Sequence, residues 1–413
     1  MVSFGVDELL ADIGPTIVNR RWGIVTNDAA RLAHDPGRRT RNALLDAGVQ
    51  IERVFSPEHG ITAAEVDGKA VPDGRDPATG RPLTSLYGAR QQPPGEQLRS
   101  LDGILFDLPH LDVRFYTYAW TLSHVLEVCA ETNVPVVVLD RFPPAGAEMS
   151  TVEGPILNVT QISGFLGRAP IPITYNLTMG EFALWLTQEW GLTVDLRVIQ
   201  AKGWRRSEHW PETGLSFVPL SPSMPSYETS RIYPGTCLFE GTNVSVGRGT
   251  ETPFQLIGAP WFEPDGVTSA LHGSAFGSEV TGKVTTQADG IELPPLQGVS
   301  FHPMAFTPSI PPHAGTRCRG IRLSVDDAHE FRPVRTGLVL LLAVIHLHPE
   351  HFAWRPYPTA ANPSGNDHFE RLIGSRDVRP LLEDQPGRFC TRLDTWLEPS
   401  GWASSVEGRL LYE

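Results

Sequence analysis

Cysteine is scarce in this chain. Cys129, Cys237, Cys318 and Cys390 are the four among 413 residues, and no two of them form a CxxC pair. That spacing excludes a disulfide-stapled scaffold and a zinc knuckle, and fits reduced thiols in a reducing compartment. Long apolar runs are missing as well: no window comes near the roughly 18 consecutive apolar residues of a transmembrane helix. Basic residues are in deficit, 34 Lys and Arg against 47 Asp and Glu, for a formal charge of −13. Such a field repels a nucleic-acid duplex and an anionic bilayer, which leaves small molecules as the expected partners. The opening stretch, Met1 to Gly14, carries Asp7, Glu8 and Asp12 and has no basic segment followed by an apolar one. It does not read as a secretory leader. The expected compartment is the cytoplasm; a leader missing from the sequence would change that.

The common cofactor and nucleophile signatures are absent too. The turn after the first strand candidate reads Asn27-Asp28-Ala29-Ala30, with no GxGxxG, and there is no GxxxxGK[ST] and no GxSxG. Val246-Gly247-Arg248-Gly249 lacks the strand–loop–helix setting of a phosphate cradle. HExxH is absent. Glu58, His59, Asp107, His110 and Asp112 supply oxygen and nitrogen donors, at spacings that match no compact metal motif. The tract His346 to His351 reads better as a buried helix end. No metal and no cofactor are expected.

What the chain does have is 40% apolar residues, 39 glycines and 37 prolines, a sizeable core joined by many turns. Strand candidates are Trp22–Asn27, Gln50–Pro57, Thr84–Gly88, Gly103–Leu108 and the β-branched run Val134–Asp140, which has the composition of a strand buried on both faces. Thr193–Ala201 is a further one. Arg38–Ala47, Tyr116–Thr132 and Met179–Trp190 carry helical periodicity. Strands separated by helices predict βαβ units in a mostly parallel sheet. From about Ser221 the chain turns polar and loop-rich through Tyr233-Pro234 and Gly241–Thr250. Strands at Gly298–Phe306 and Cys318–Val325 and a helix at Gly337–His348 follow, predicting a smaller α+β domain. The expected division is 1–235 and 236–413.

Four strand candidates end on Asn27, Glu58, Asp107 and Asp140. In an open parallel sheet, ligands bind outside the carboxyl ends of the strands, where such side chains converge. Asn and Asp also serve as helix caps. Glu is a poor cap, and Glu58 sits in the rigid corner Pro57-Glu58-His59-Gly60. Aromatic Phe115, Tyr116, Tyr118 and Trp120 offer faces for sugar rings, with core packing the expected role of Phe115 and Trp120.

An ordered set of blocks resembles the exo-acting β-N-acetylmuramidases, formerly a domain family of unknown function. The blocks are Phe55-Ser56-Pro57-Glu58-His59-Gly60, Ser85-Leu86-Tyr87-Gly88, Arg114-Phe115-Tyr116-Thr117-Tyr118, Val138-Leu139-Asp140-Arg141 and Val152-Glu153-Gly154-Pro155. Ser221-Pro222-Ser223-Met224-Pro225, the run Tyr233 to Asn243, Gly247-Arg248-Gly249-Thr250 and Gly258-Ala259-Pro260-Trp261 complete it. The resemblance spans nearly the whole chain. It implies a Rossmann-like catalytic domain, a C-terminal auxiliary domain and an active cleft between them. It also implies release of a terminal N-acetylmuramic acid from peptidoglycan fragments without a cofactor. Glu58 matches the glutamate of the S-P-E-H-G block and is the expected essential carboxyl group. Its partner is expected among Glu153 and Glu240, with Asp107 and Asp140 behind them, because glycoside hydrolysis uses two carboxyl groups. The lactyl carboxylate of muramic acid calls for a cation, and Arg114, Arg141 and Arg248 are the candidates. His59, Asn243, Tyr116 and Tyr118 are further expected substrate contacts.

Two blocks depart from the family. Pro109-His110-Leu111-Asp112 stands where Q-D-V-G is common, and Thr174-Tyr175-Asn176-Leu177-Thr178 where R-H-G-M-T is usual. The second change removes a cation and an imidazole expected at the substrate, which marks a divergent member whose sugar preference is the open property. Two other classes compete: a catalytically silent carbohydrate-binding protein, and a metal-dependent hydrolase using His59 and Asp107.

Overall fold

The computed structural model describes residues 1–275, 283–285 and 290–413. Its first half is built on a seven-stranded sheet: β1 (Arg21–Val25), β2 (Gln50–Ser56), β3 (Gly74–Arg75), β4 (Pro82–Ser85), β5 (Gly103–Phe106), β6 (Val136–Leu139) and β7 (Leu196–Ile199). The spatial order is β3-β4-β2-β1-β5-β6-β7. Every pairing is parallel except that of the short edge strand β3 with β4. The central strands β5 and β6 are buried at every residue, as their continuous apolar runs require. From β1 the chain builds outward through β2 and β4, then returns to the other flank of β1 for β5, β6 and β7. The order of winding therefore reverses between β1 and β5. This is a Rossmann-like, doubly wound α/β arrangement.

The second half holds the antiparallel set β8 (Leu256–Ala259), the pair β9 (Lys283–Thr285) and β10 (Gly290–Glu292), then β11 (Val299–Phe306) and β12 (Cys318–Val325), with β11-β12-β8 forming one small sheet. The helix Pro264–Ala275 packs against this sheet and Tyr227–Thr236 meets its strand β12; Tyr227–Thr236 in turn crosses the helix Pro333–Leu347 at glycine. A Cβ on Gly235 would lie 1.9 Å from the Pro333 carbonyl oxygen, and one on Gly337 would lie 2.2 Å from that of Gly235. Backbone is the obstacle at both positions, and it cannot rotate away. We expect Gly337→Ala to lower the unfolding free energy by about 2–4 kcal/mol in urea titrations, as overpacking against a fixed wall does.

Both chain ends return to the first sheet. Ser3 N–H donates to the Lys202 carbonyl at 2.9 Å, and Gly5 N–H to the Asp140 carbonyl at 2.9 Å. At the other end, Leu411 N–H donates to Glu181 Oε1 at 2.7 Å, and the Tyr412 hydroxyl donates to Asp140 Oδ2 at 2.6 Å. The same hydroxyl accepts from Ala201 N–H at 2.9 Å.

Several sequence expectations need correction. The helix expected from Tyr116 begins at Tyr118, because the residues before it turn to place Thr117 at the site. The expected strand Thr193–Ala201 narrows to Leu196–Ile199 at the far edge of the sheet. Tyr233-Pro234, read as loop, lies inside the Tyr227–Thr236 helix, whose start is capped by Ser226 Oγ accepting from Thr229 N–H at 3.2 Å. The helix expected from Gly337 starts four residues earlier at Pro333, a residue suited to a first helical position. Among the described residues no helix is long and apolar enough to cross a membrane.

Candidate active site

Strand β2 runs out at Ser56 and Pro57, and the chain then makes a corner. His59 has φ of +67° and Gly60 +69°. A non-glycine residue in that region costs on the order of 1 kcal/mol or more and persists only when its neighbours hold it. Here Gly60 N–H donates to the Pro57 carbonyl at 3.1 Å, Glu65 N–H to the His59 carbonyl at 3.2 Å, and His59 Nδ1 lies 2.9 Å from the Glu65 carbonyl. From the end of β1, Asn27 Nδ2 donates to the Tyr118 hydroxyl at 2.9 Å, and that hydroxyl donates to the Glu58 backbone carbonyl at 3.4 Å. The corner is fixed from three sides.

It presents the Glu58 side chain, 6% exposed, to a pocket. Glu58 Oε2 accepts from Thr117 Oγ1 at 2.7 Å, and Oε1 from Gly68 N–H at 3.1 Å. Burial raises its carboxyl above the usual value and the charge of Asp67 adds to that, against the pull of His59, Thr117 and Tyr87. Asp67 goes the other way. Burial alone would raise it, but the Arg248 guanidinium, His59 and the Tyr357 hydroxyl together hold it below the usual carboxylate value. Arg248 Nη2 stands 3.4 Å from Asp67 Oδ2, and Tyr357 donates to the same oxygen at 2.9 Å. The guanidinium also pairs through Nε with Glu240 Oε1 and lies 4.8 Å over the Phe254 ring. Glu240 accepts from Cys237 Sγ at 3.3 Å. Burial raises Glu240 as well, despite Arg248.

The pocket draws its lining from both sides of residue 235. Phe115, Tyr116, Met224, Tyr233 and Leu372 supply apolar walls, and Ser221 and Ser223 hydroxyls. His368 stacks on Tyr357 with centroids 4.6 Å apart, and neither of its ring nitrogens has a hydrogen-bond partner. Burial lowers His368 to about 4, so the ring is neutral near pH 7 and free to donate from one nitrogen and accept at the other.

Of the residues nominated from sequence, the pocket brings together Glu58, His59, Tyr116, Glu240 and Arg248. The others serve the scaffold. Asp107 is clamped by Arg141, whose Nε lies 2.5 Å from Oδ1, so both are removed from the pocket and His59 has no carboxylate partner there in Asp107. Asp140 accepts from Gly180 N–H at 2.7 Å, Thr178 Oγ1 at 2.8 Å and Tyr412. Glu153 caps the Pro333–Leu347 helix, accepting from Val334 N–H at 3.0 Å and Arg335 N–H at 3.1 Å. Arg114 donates to three carbonyls, of Pro155 at 2.8 Å, Ile171 at 2.9 Å and Leu372 at 2.8 Å. Asn243 bonds the backbone of His351 and Ala353, and Tyr118 braces the Glu58 corner. Neither divergent loop lines the pocket. Pro109 and His110 face one separate cavity, and Leu111, Asp112, Thr174 and Asn176 another. Asn176 has φ of +51°, a left-handed conformation where the family's glycine is at home.

Asp67, Tyr87, Tyr357 and His368 were not nominated. Tyr87 lay in a matching block, whereas Asp67, Tyr357 and His368 sit in segments with no motif. Among the described residues no group of three or more His, Cys, Asp or Glu side chains is placed to hold a metal ion.

A doubly wound sheet whose C-terminal partner helps line one pocket, with a carboxyl group raised by burial at Glu58 beside one held low at Asp67, has the pair of differently tuned carboxyl groups that glycoside hydrolases use. Two family models match in succession, the N-terminal domain of exo-β-N-acetylmuramidase NamZ over residues 22–228 and its C-terminal domain over 231–396. The chain belongs to the exo-β-N-acetylmuramidase family. It is 34% identical over 384 residues to the peptidoglycan β-N-acetylmuramidase NamZ of Bacillus subtilis strain 168, covering 93% of this chain and 84% of that protein. Crystal structures of two DUF1343 family proteins of Bacteroides fragilis superpose with TM-scores of 0.81 and 0.72, each at 26% identity and over 100% of this chain and 99% of theirs.

Proposed function

We propose that this enzyme removes a terminal N-acetylmuramic acid from the non-reducing end of peptidoglycan fragments, with Glu58 as general acid and Asp67 as the second carboxyl group. The reading is carried by the opposed tuning of these two side chains in one pocket. Glycosidic cleavage needs a proton delivered to the leaving oxygen and an ionised carboxylate that attacks the anomeric carbon or activates water. Burial raises the Glu58 carboxyl, so it holds its proton to higher pH than an ordinary glutamate, while Arg248 and Tyr357 hold Asp67 below the usual carboxylate value. Glu240 is the weaker partner, since burial favours its neutral form and Arg248 and Cys237 already engage both its oxygens.

Among the described residues lining the pocket, Arg248 is the one Lys or Arg, and two carboxylates occupy it. The acidic arm of the sugar therefore meets neutral donors, the hydroxyls of Ser221, Ser223 and Tyr116 and the ring of His368, rather than a free guanidinium. A saccharide fragment is the partner, and the four unpaired thiols fit a reducing compartment. The test is release of chromophore from a p-nitrophenyl β-glycoside of N-acetylmuramic acid, with the N-acetylglucosamine glycoside beside it. Turnover of the muramic substrate at least tenfold above the other is expected; equal rates, or none with either, refute the assignment.

A further inference from the structure

On a different face of the Tyr227–Thr236 helix from the active pocket lies a second cavity. Ser230, Arg231 and Pro234 of that helix face it, while Tyr233 faces the sugar pocket. Two ionisable groups of opposite sign stand on its walls and are not paired with each other, Arg231 resting 5.6 Å over the Phe331 ring. Asp112 is 5% exposed, and its carboxyl group has no hydrogen-bonding neighbour beyond its own backbone amide. Arg231 is 7% exposed and its Nε has no acceptor, although its Nη atoms reach the Ala145 and Ala328 carbonyls. The two are not joined in an ion pair. Burial pushes Asp112 up to about 7, with Arg231 and Arg206 opposing. Buried polar groups are normally satisfied, and a buried charge is normally paired, so two such groups facing one cavity call for an occupant. The remaining polar atoms sharpen its chemistry. Asn176 uses its Nδ2 on the Glu148 carbonyl at 2.5 Å and on Thr151 Oγ1 at 2.8 Å, which leaves its Oδ1 as an acceptor near Asp112.

We propose that this cavity is a second ligand site, separate from the sugar pocket, that takes a small zwitterion of the α-amino acid class: its ammonium on Asp112 and Asn176, its carboxylate on Arg231. One molecule with both charges at adjacent positions satisfies both walls, whereas a simple amine or a simple acid leaves the other charge buried and unpaired.

The test is calorimetric titration of the full-length enzyme with a panel of protein amino acids and D-alanine, with ethylamine and propionate as single-charge probes. At least one amino acid is expected to bind saturably. Its affinity should fall tenfold or more in Asp112→Asn and stay within twofold in Glu58→Gln, which separates this cavity from the sugar pocket. Ethylamine and propionate should each bind at least tenfold more weakly than that amino acid. Asp112→Asn removes a buried charge without changing shape, so it should fold, which retained hydrolysis of the chromogenic substrate verifies. No saturable binding by any member of the panel, binding indifferent to Asp112→Asn, or ethylamine binding as tightly as the amino acid overturns the proposal.

Discussion

Glu58→Gln lowers kcat on the muramic acid glycoside by about 10²–10⁴-fold, the usual contribution of a positioned general acid, with KM changed little. Glutamine keeps the shape of the side chain, its amide oxygen accepting from Gly68 N–H and its NH2 donating to a rotated Thr117 hydroxyl, so the loss belongs to the missing proton. The pH dependence follows from the same carboxyl group. Its value is raised by burial and by Asp67, so the acid form persists to higher pH than for an ordinary glutamate, and the rate falls as pH rises through that elevated value. On the acid side, the rate falls as Asp67 takes up a proton, at a pH below the usual carboxylate value because Arg248 and Tyr357 hold it there. A bell with its acid limb set low is the expected profile. In Glu58→Gln the alkaline limb should vanish from the residual rate; a limb that stays in place assigns the acid to another group.

Asp67→Asn is expected to cost about 10²–10³-fold in kcat, since the second carboxyl group is lost. It should do something further. The negative charge of Asp67 is one of the causes that raise Glu58. Removing it should let Glu58 ionise more easily and move the alkaline limb of the residual activity to lower pH. A merely structural role for Asp67 would lower the rate without moving that limb. A profile unshifted in Asp67→Asn, measured beside Glu240→Gln, would pass the partner role to Glu240.

How much of this could be read beforehand depended on how local the signal was. The run Val136–Leu139 announces a central strand because four β-branched or apolar residues in succession fit only a position covered on both faces. The Glu58 corner is equally local: proline, glutamate and glycine in four residues allow few backbone paths. The Tyr227–Thr236 helix escaped because its sequence is polar and holds Pro234, and its stability comes from the glycine crossing with a helix a hundred residues later. The site divided along the same line. Glu58, Glu240 and Arg248 lie in recognisable blocks. Tyr357 and His368 reach Asp67 and the pocket from nearly three hundred residues away, a juxtaposition only packing reveals. Asp107 and Arg141 illustrate the reverse error. A carboxylate and a guanidinium at the ends of neighbouring strands β5 and β6 looked like substrate contacts, but they neutralise one another, buried beyond the strand ends. The changed loop at 174–178 was expected at the substrate, whereas its Thr174 and Asn176 line the second cavity.

The docking of the final residues onto Asp140, Glu181 and Ala201 bears on how the polypeptide can be divided. A fragment that ends at the junction of the two family models would lose the C-terminal donors to Glu181 Oε1 and Asp140 Oδ2, leaving Arg206 and Thr178 on those oxygens, and would lose the Tyr412 acceptor for Ala201 N–H. The two pieces are therefore better candidates for complementation in trans, reassembling from separate expression, than for independent folding.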